Sequence, residues 1–172
     1  NFKLRLGGTY FSGDDDLTDG DASFMVVPTA TEGFAFYNDG FMIFTPDVSW
    51  TSVGQYGFAM MDAAFAGYGL TSAVLTGDYK PEFDENFRLR GGVGYFASLE
   101  DTLAPNDPRT NRAGKELGTE VYLRASYLFA EPLNLSINGA YAFLGDFYDD
   151  HGGGTAVNTP TTDIDDPWEA YF

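Results

Sequence analysis

NFRLRGGVGYF, Asn86 to Phe96, repeats at seven of eleven positions the opening of the chain, NFKLRLGGTYF, Asn1 to Phe11. A looser third copy, NLSINGAYAF, spans Asn134 to Phe143. Each copy begins with Asn, alternates apolar with polar or small residues, and reaches aromatic residues at its far end. Side chains of a strand point alternately to opposite faces. Phe2, Leu4, Leu6 and Tyr10 therefore share one face, and Lys3, Arg5, Gly7 and Thr9 the other. In the second copy Phe87, Leu89, Val93, Tyr95 and Ala97 stand opposite Arg88, Arg90, Gly92, Gly94 and Phe96. In the third, Leu133, Leu135, Ile137, Tyr141 and Phe143 stand opposite Asn134, Ser136, Asn138 and Ala140. The repeated unit is a β-strand of about ten residues, the length that crosses a bilayer at a tilt.

Two further strands read the same way. LGTEVYLRASYLF, from Leu117, sets Thr119, Val121, Leu123, Ala125, Tyr127 and Phe129 against Gly118, Glu120, Tyr122, Arg124 and Ser126. GLTSAVLTGDY, Gly69 to Tyr79, alternates less cleanly, with Ala73, Leu75 and Tyr79 on its apolar face. Short connections, KPEFDE at 80–85 and AEP at 130–132, join strand to strand. Long polar ones rich in Asp, Gly, Asn and Pro lie near 12–33, 100–116 and 145–166. Tyr79, Phe87, Tyr127 and Phe129 fall beside the short turns, and Tyr10, Tyr95, Tyr141 and Phe143 toward the long loops. Short turns on one rim, long loops on the other and an aromatic girdle at each interface are the pattern of an antiparallel transmembrane β-barrel. A soluble β-sandwich or lipocalin-like barrel also alternates, but it explains neither the loop asymmetry nor the segregation of Arg and Gly from Phe and Tyr. The stretch 34–67 is apolar but poorly periodic, and reads either as one more hairpin or as a loop segment folded inward.

Composition narrows the setting. The 172 residues suffice for a single domain, 1–172, and hold no Cys and one His. Disulfides, thiolate metal sites and His clusters are thereby excluded. The net charge of −17 argues against a nucleic-acid partner, because phosphate binding needs clustered Lys and Arg. Disordered chains are poor in aromatics, whereas 17% of this one is Phe, Trp or Tyr. No apolar run reaches the length of a transmembrane helix. Acidity, abundant Gly and aromatics and no Cys together fit a β-rich protein of the bacterial outer membrane.

GTEVYLRASYLFAEPLNLSINGAYAFLGDFYDD, with DPWEAYF after it, resembles the C-terminal part of the outer-membrane homotrimeric porins of sulfate-reducing bacteria, and more distantly the alginate-export barrels. The shared pattern is G-T-E, a strand, a short turn, N-L, a strand ending A-Y-x-F-x-G-D, a polar loop, then D-P-W into a last strand. DYKPEFDENFRLRGGVGYF fits the preceding hairpin, and LGGTYFSGDDD an earlier one. The resemblance implies a homotrimer in membrane lipid and a channel for passive diffusion of small hydrophilic solutes; lipopolysaccharide is expected as a partner of the acidic loops, through bridging Ca²⁺ or Mg²⁺. Six strands are readable, the last of them short, and a single-chain barrel needs at least eight. The chain is thus expected to be the C-terminal portion of a larger barrel of about sixteen strands. A complete eight-stranded barrel, with two strands from 34–67, is the alternative, and it would be a structural or adhesive barrel without an open pore.

Lys3, Arg5, Arg88, Arg90 and Arg124 fall on the polar face, five of the nine basic residues, and are expected to form a basic arc that favours anions. Glu120 is the acidic residue expected beside them, and pairing of an Arg with Glu120 or Asp78 is the bland alternative. SGDDDLTDGD invites a Ca²⁺ or Mg²⁺ loop from Asp14, Asp15, Asp16, Asp19 and Asp21. The EF-hand spacing fails because Leu17 stands where a ligand belongs, which leaves loose divalent binding or a solvated external loop. HGGGT, 151–155, copies an esterase oxyanion motif but lacks a G-x-S-x-G elbow. Nothing in the sequence argues for an enzyme or a resident cofactor.

Overall fold

The alternating segments become six strands: β1 (Phe2–Phe11), β2 (Leu70–Tyr79), β3 (Phe87–Ala97), β4 (Glu116–Ala130), β5 (Leu133–Leu144) and β6 (Trp168–Tyr171). The computed structural model describes residues 1–16, 18–21, 41, 43–44, 68–102, 112–131, 133–148 and 168–171. The strands form one sheet in chain order, each antiparallel to the next, with β1 and β6 as its edges. The fold is an all-β antiparallel sheet.

In such a meander the connections alternate between the two ends. Residues 80–86 and 131–132 join strands at one end, and 12–69, 98–115 and 145–167 at the other. The first turn is shaped by the Asp84 side chain, which accepts the Asn86 N–H at 2.9 Å, and beside it the backbones of Asn1 and Lys80 extend the β1–β2 pairing by one residue. β1 and β2 pair directly, so no strand stands between them in the sheet. The two readings of 34–67 otherwise lie outside the described residues, apart from Phe41, Ile43 and Phe44. So does the HGGGT stretch, and so do large parts of all three long loops.

Register carries the alternation across the whole sheet, because a shift by one residue would turn every side chain to the other face. Leu6 pairs with Leu75, Leu75 with Val93, Val93 with Val121, Val121 with Tyr141 and Tyr141 with Trp168. This apolar face has no cover among the described residues: Leu6 is 82% exposed, Ile137 60% and Trp168 74%. Strands about 4.8 Å apart and rising about 3.3 Å per residue make it a surface on the order of 800 Å². Soluble monomers rarely expose a contiguous apolar patch of more than about 300–600 Å². Tyr79, Tyr127 and Phe129 are exposed near the short turns, and Tyr10, Tyr95, Tyr141, Phe143 and Trp168 toward the long loops.

The hydrophobic core lies on the opposite face and only at its long-loop end. Phe96 of β3, Leu117 and Tyr122 of β4, Ala140 and Ala142 of β5, and Leu70 of β2 are buried there against Phe41, Ile43, Phe44, Tyr68 and Phe147. The Phe41 ring meets Phe96 and Tyr122 edge-on, at 5.5 and 4.9 Å between centroids. Glycine makes this possible at Gly94, where an added Cβ would lie 2.8 Å from the Phe41 ring. Gly118, at φ +134°, sits where the β3–β4 register shifts, and its Cβ would fall 2.1 Å from the Phe143 carbonyl oxygen. Only glycine fits that backbone.

Candidate functional site

Among the described residues nothing covers the short-turn half of the polar face. Lys3 of β1 pairs in register with Asp78 of β2, Asp78 with Arg90 of β3, Arg90 with Arg124 of β4, and Arg124 with Asn138 of β5. One row across five strands thus reads plus, minus, plus, plus, neutral. Like charges directly opposite in a sheet repel, so Arg90 and Arg124 need partners on their far sides. Arg90 forks onto Asp78, Nε to Oδ1 and Nη2 to Oδ2, both at 3.1 Å. Arg124 donates through Nε to the Asn138 side-chain oxygen.

Asp78 gathers two more arginines. Arg88 donates to its Oδ1 through Nε at 2.9 Å and Nη2 at 2.6 Å, and Arg5 to its Oδ2 through Nη2 at 3.2 Å. A carboxylate that accepts charge-assisted bonds from three guanidinium groups is held firmly in its ionised form's geometry. Asp78 is buried, while the Arg5 and Arg88 side chains are about half exposed, at 49% and 55%. The cluster opens into a cavity of about 790 Å³ bounded by β1 to β5 and the first short turn. Five basic side chains line it, Lys3, Lys80, Arg88, Arg90 and Arg124, against two acidic ones, Asp78 and Glu85. A chain of net charge −17 therefore carries a concave surface of the opposite sign.

The structure brings all five predicted basic residues to one face, and it changes two details. Counting from the turns places Lys3 level with Arg88 and Arg5 level with Arg90. In the sheet Lys3 is level with Arg90, two residues further along, because β1 and β3 flank β2 with a stagger. Arg124, expected further from the short-turn end, stands directly opposite Arg90.

Glu120 requires a correction. It lies on the polar face but does not line the open part of it: it is fully buried, with Ile43 and Phe44 over its carboxylate. Its carboxylate accepts the Ile43 N–H at 3.1 Å from both oxygens and the Phe44 N–H through Oε2 at 2.8 Å. Two backbone donors from a stretch lying on the sheet take the place expected for a pore-facing acid. Of the two carboxylates open to pairing with an Arg, Asp78 is the partner and Glu120 is not. The signal was present: Asp78 is the one acid on the polar face of a strand flanked by both copies of the repeat.

In the described part of the acidic loop the carboxylates bind backbone N–H groups. Asp16 accepts the Thr18 N–H at 2.9 Å, Asp14 the Asp16 N–H and Asp19 the Asp21 N–H, so these side chains shape consecutive turns. The bonds from the Thr18 side chain and backbone hold the Asp16 carboxyl below its ordinary 3.8. Asp14 is buried, whereas Asp15, Asp19 and Asp21 are exposed. Among the described residues no three acidic or histidine side chains converge as metal ligands. Above the sheet Arg112 lies between the rings of Tyr68 and Phe147, 5.3 and 4.8 Å from their centroids, and ties three long-loop segments together.

Comparison of the chain with models of known protein families, with curated proteins and with solved structures finds no match. The resemblance to the trimeric porins rests on the quoted residues alone.

Proposed function

We propose that this sheet is part of the wall of an outer-membrane β-barrel, and that its polar face borders a water-filled channel for passive diffusion of small hydrophilic solutes, anions ahead of cations. The observation that carries this reading is the division of one sheet into a bare apolar face and a face bearing an arginine cluster in an open cavity. In lipid the apolar face becomes the hydrocarbon-facing band, and the aromatic rows at its two ends lie at the interfaces. An Arg turned to lipid near the midplane costs about 2–4 kcal/mol, so the same division keeps Arg90 and Arg124 on the wet side. The barrel would be one of about sixteen strands, and the resemblance adds a trimer.

Selection by charge follows from the field of the basic cluster, screened over about 8 Å at physiological salt. Phe41, Ile43 and Phe44, packed on the same face nearer the long loops, narrow the passage. That packing also favours a second reading, in which the lumen is filled and the barrel is structural.

Reconstitution into planar bilayers tests the proposal. Open-channel conductance with a reversal potential on the anion side is expected, and Arg88→Glu with Arg90→Glu should move it toward cations. Strong cation selectivity in the wild type would mean the acidic loops control the pore, and no conductance at all would leave the filled barrel.

A further inference from the structure

The proportion of charges around Asp78 is unusual for an ion pair. One carboxylate accepts five N–H contacts from Arg5, Arg88 and Arg90, with Arg124 and Lys3 in the same cross-strand row or beside it. A structural salt bridge would be neutral once one arginine had joined it, and this unit keeps a large positive excess. Guanidinium groups so close repel one another and, without a shared anion, would swing apart into solvent. Asp78 prevents this. It sits at the back of the cluster, buried, while Arg88 and Arg124 face the cavity from either side of Arg90. Ser126 and Asn134 add neutral polar groups to the same wall. The cavity, about 790 Å³, is of the size that encloses a small organic solute.

We infer that Asp78 is a positioning residue that converts the arginine cluster into a preformed seat for a doubly charged oxyanion, a phosphate or a small dicarboxylate, gripped by Arg88, Arg124 and Lys3. Arg suits such a ligand because its planar fork matches two oxygens at once. Asp78 holds Arg88 in place beforehand, as Asn138 holds Arg124, and this removes ordering cost that binding would otherwise carry. The inference rests on the polar face being open to water, and it goes beyond a charge filter because the two make opposite predictions for one substitution. In a simple field, removing the negative charge of Asp78 strengthens anion binding. In a preformed seat, it weakens it.

The full chain, refolded in zwitterionic detergent micelles, is titrated calorimetrically with inorganic phosphate and, in a second arm, with malonate, at constant ionic strength. Chloride and glycerol serve as controls. Saturable binding of both dianions is expected, with no saturation by either control. Asp78→Asn should weaken phosphate binding by about tenfold, as Arg88 loses its anchor and with it one charge-assisted contact to the anion, although the protein has become more positive. Arg88→Gln should weaken it comparably, and Asp78→Glu should retain most of the affinity. Phosphate binding in Asp78→Asn that equals or exceeds the wild type overturns the inference, as does chloride binding as tight as phosphate. Far-UV circular dichroism reports folding. If Asp78→Asn does not fold, Arg88→Gln decides, and its unchanged affinity overturns the seat. Transport is not needed in micelles, so phosphate binding without bilayer conductance would sink the channel and leave the seat standing.

Discussion

Replacing Glu120 by alanine should free the backbone of residues 43 and 44 from the sheet. In the wild type the buried carboxylate accepts both N–H groups at 2.8–3.1 Å, and no water reaches a fully covered side chain. A hydrogen bond to a charged acceptor is worth about 1.5–3 kcal/mol, so the pair contributes about 3–6 kcal/mol to keeping this stretch closed. The entropy gained on opening is the same in both proteins and cancels from the comparison. At 1.4 kcal/mol per decade, exchange of the two amides should quicken by about 10² to 10⁴. The aromatic contacts of Phe41 with Phe96 and Tyr122 remain, so the sheet itself should not melt. Hydrogen exchange read by mass spectrometry on peptides covering 41–44 and, as a reference, β3 measures both. Glu120→Gln, which keeps one oxygen and loses the charge, should fall between. Unchanged exchange in Glu120→Ala would refute the reasoning. Accelerated exchange throughout β3 would assign Glu120 to the stability of the whole sheet.

Three further outcomes are expected. Leu123→Arg, on the middle of the bare face, should destabilise the protein by about 2–4 kcal/mol in lipid vesicles and far less in denaturant-free aqueous assays of solubility; equal stability of the two proteins in vesicles would count against a lipid-facing surface. Arg112→Ala should lower thermal stability by about 0.5–2 kcal/mol as the Tyr68 and Phe147 rings lose their cation, and Arg112→Lys should restore only part of it, since an ammonium cannot stack between two rings. Thr18→Ala should return the Asp16 carboxyl toward its ordinary value, followed by carboxyl ¹³C shifts against pH. Because the folded value is depressed, the turn's stabilisation is present above the ordinary carboxylate range and is lost as pH falls through the folded value below 3.8. An Asp16 titration that Thr18→Ala leaves unmoved would show that the hydroxyl bond does not set it.

Period-two alternation is a local property, so the sequence alone determined the strands, their two faces and the segregation of basic from apolar side chains. Runs such as Phe87–Ala97 need no partner to declare which residues lie together. Connection length likewise assigned short turns to one end and long ones to the other. Relations between strands lay beyond that reach. The stagger that puts Lys3 level with Arg90, and the pairing of Arg90 with Arg124, depend on register, which hydrogen bonding across the sheet settles. Along the chain Asp78 and Glu120 are equal candidates for an Arg partner, and only the register brings three arginines from the two strands beside β2 onto Asp78. Glu120 shows the limit most clearly. Its backbone partners lie 76 and 77 residues earlier, in a stretch with no periodicity of its own. A residue's face is written in its neighbours along the chain, but what covers that face is decided by segments brought there only when the sheet has formed.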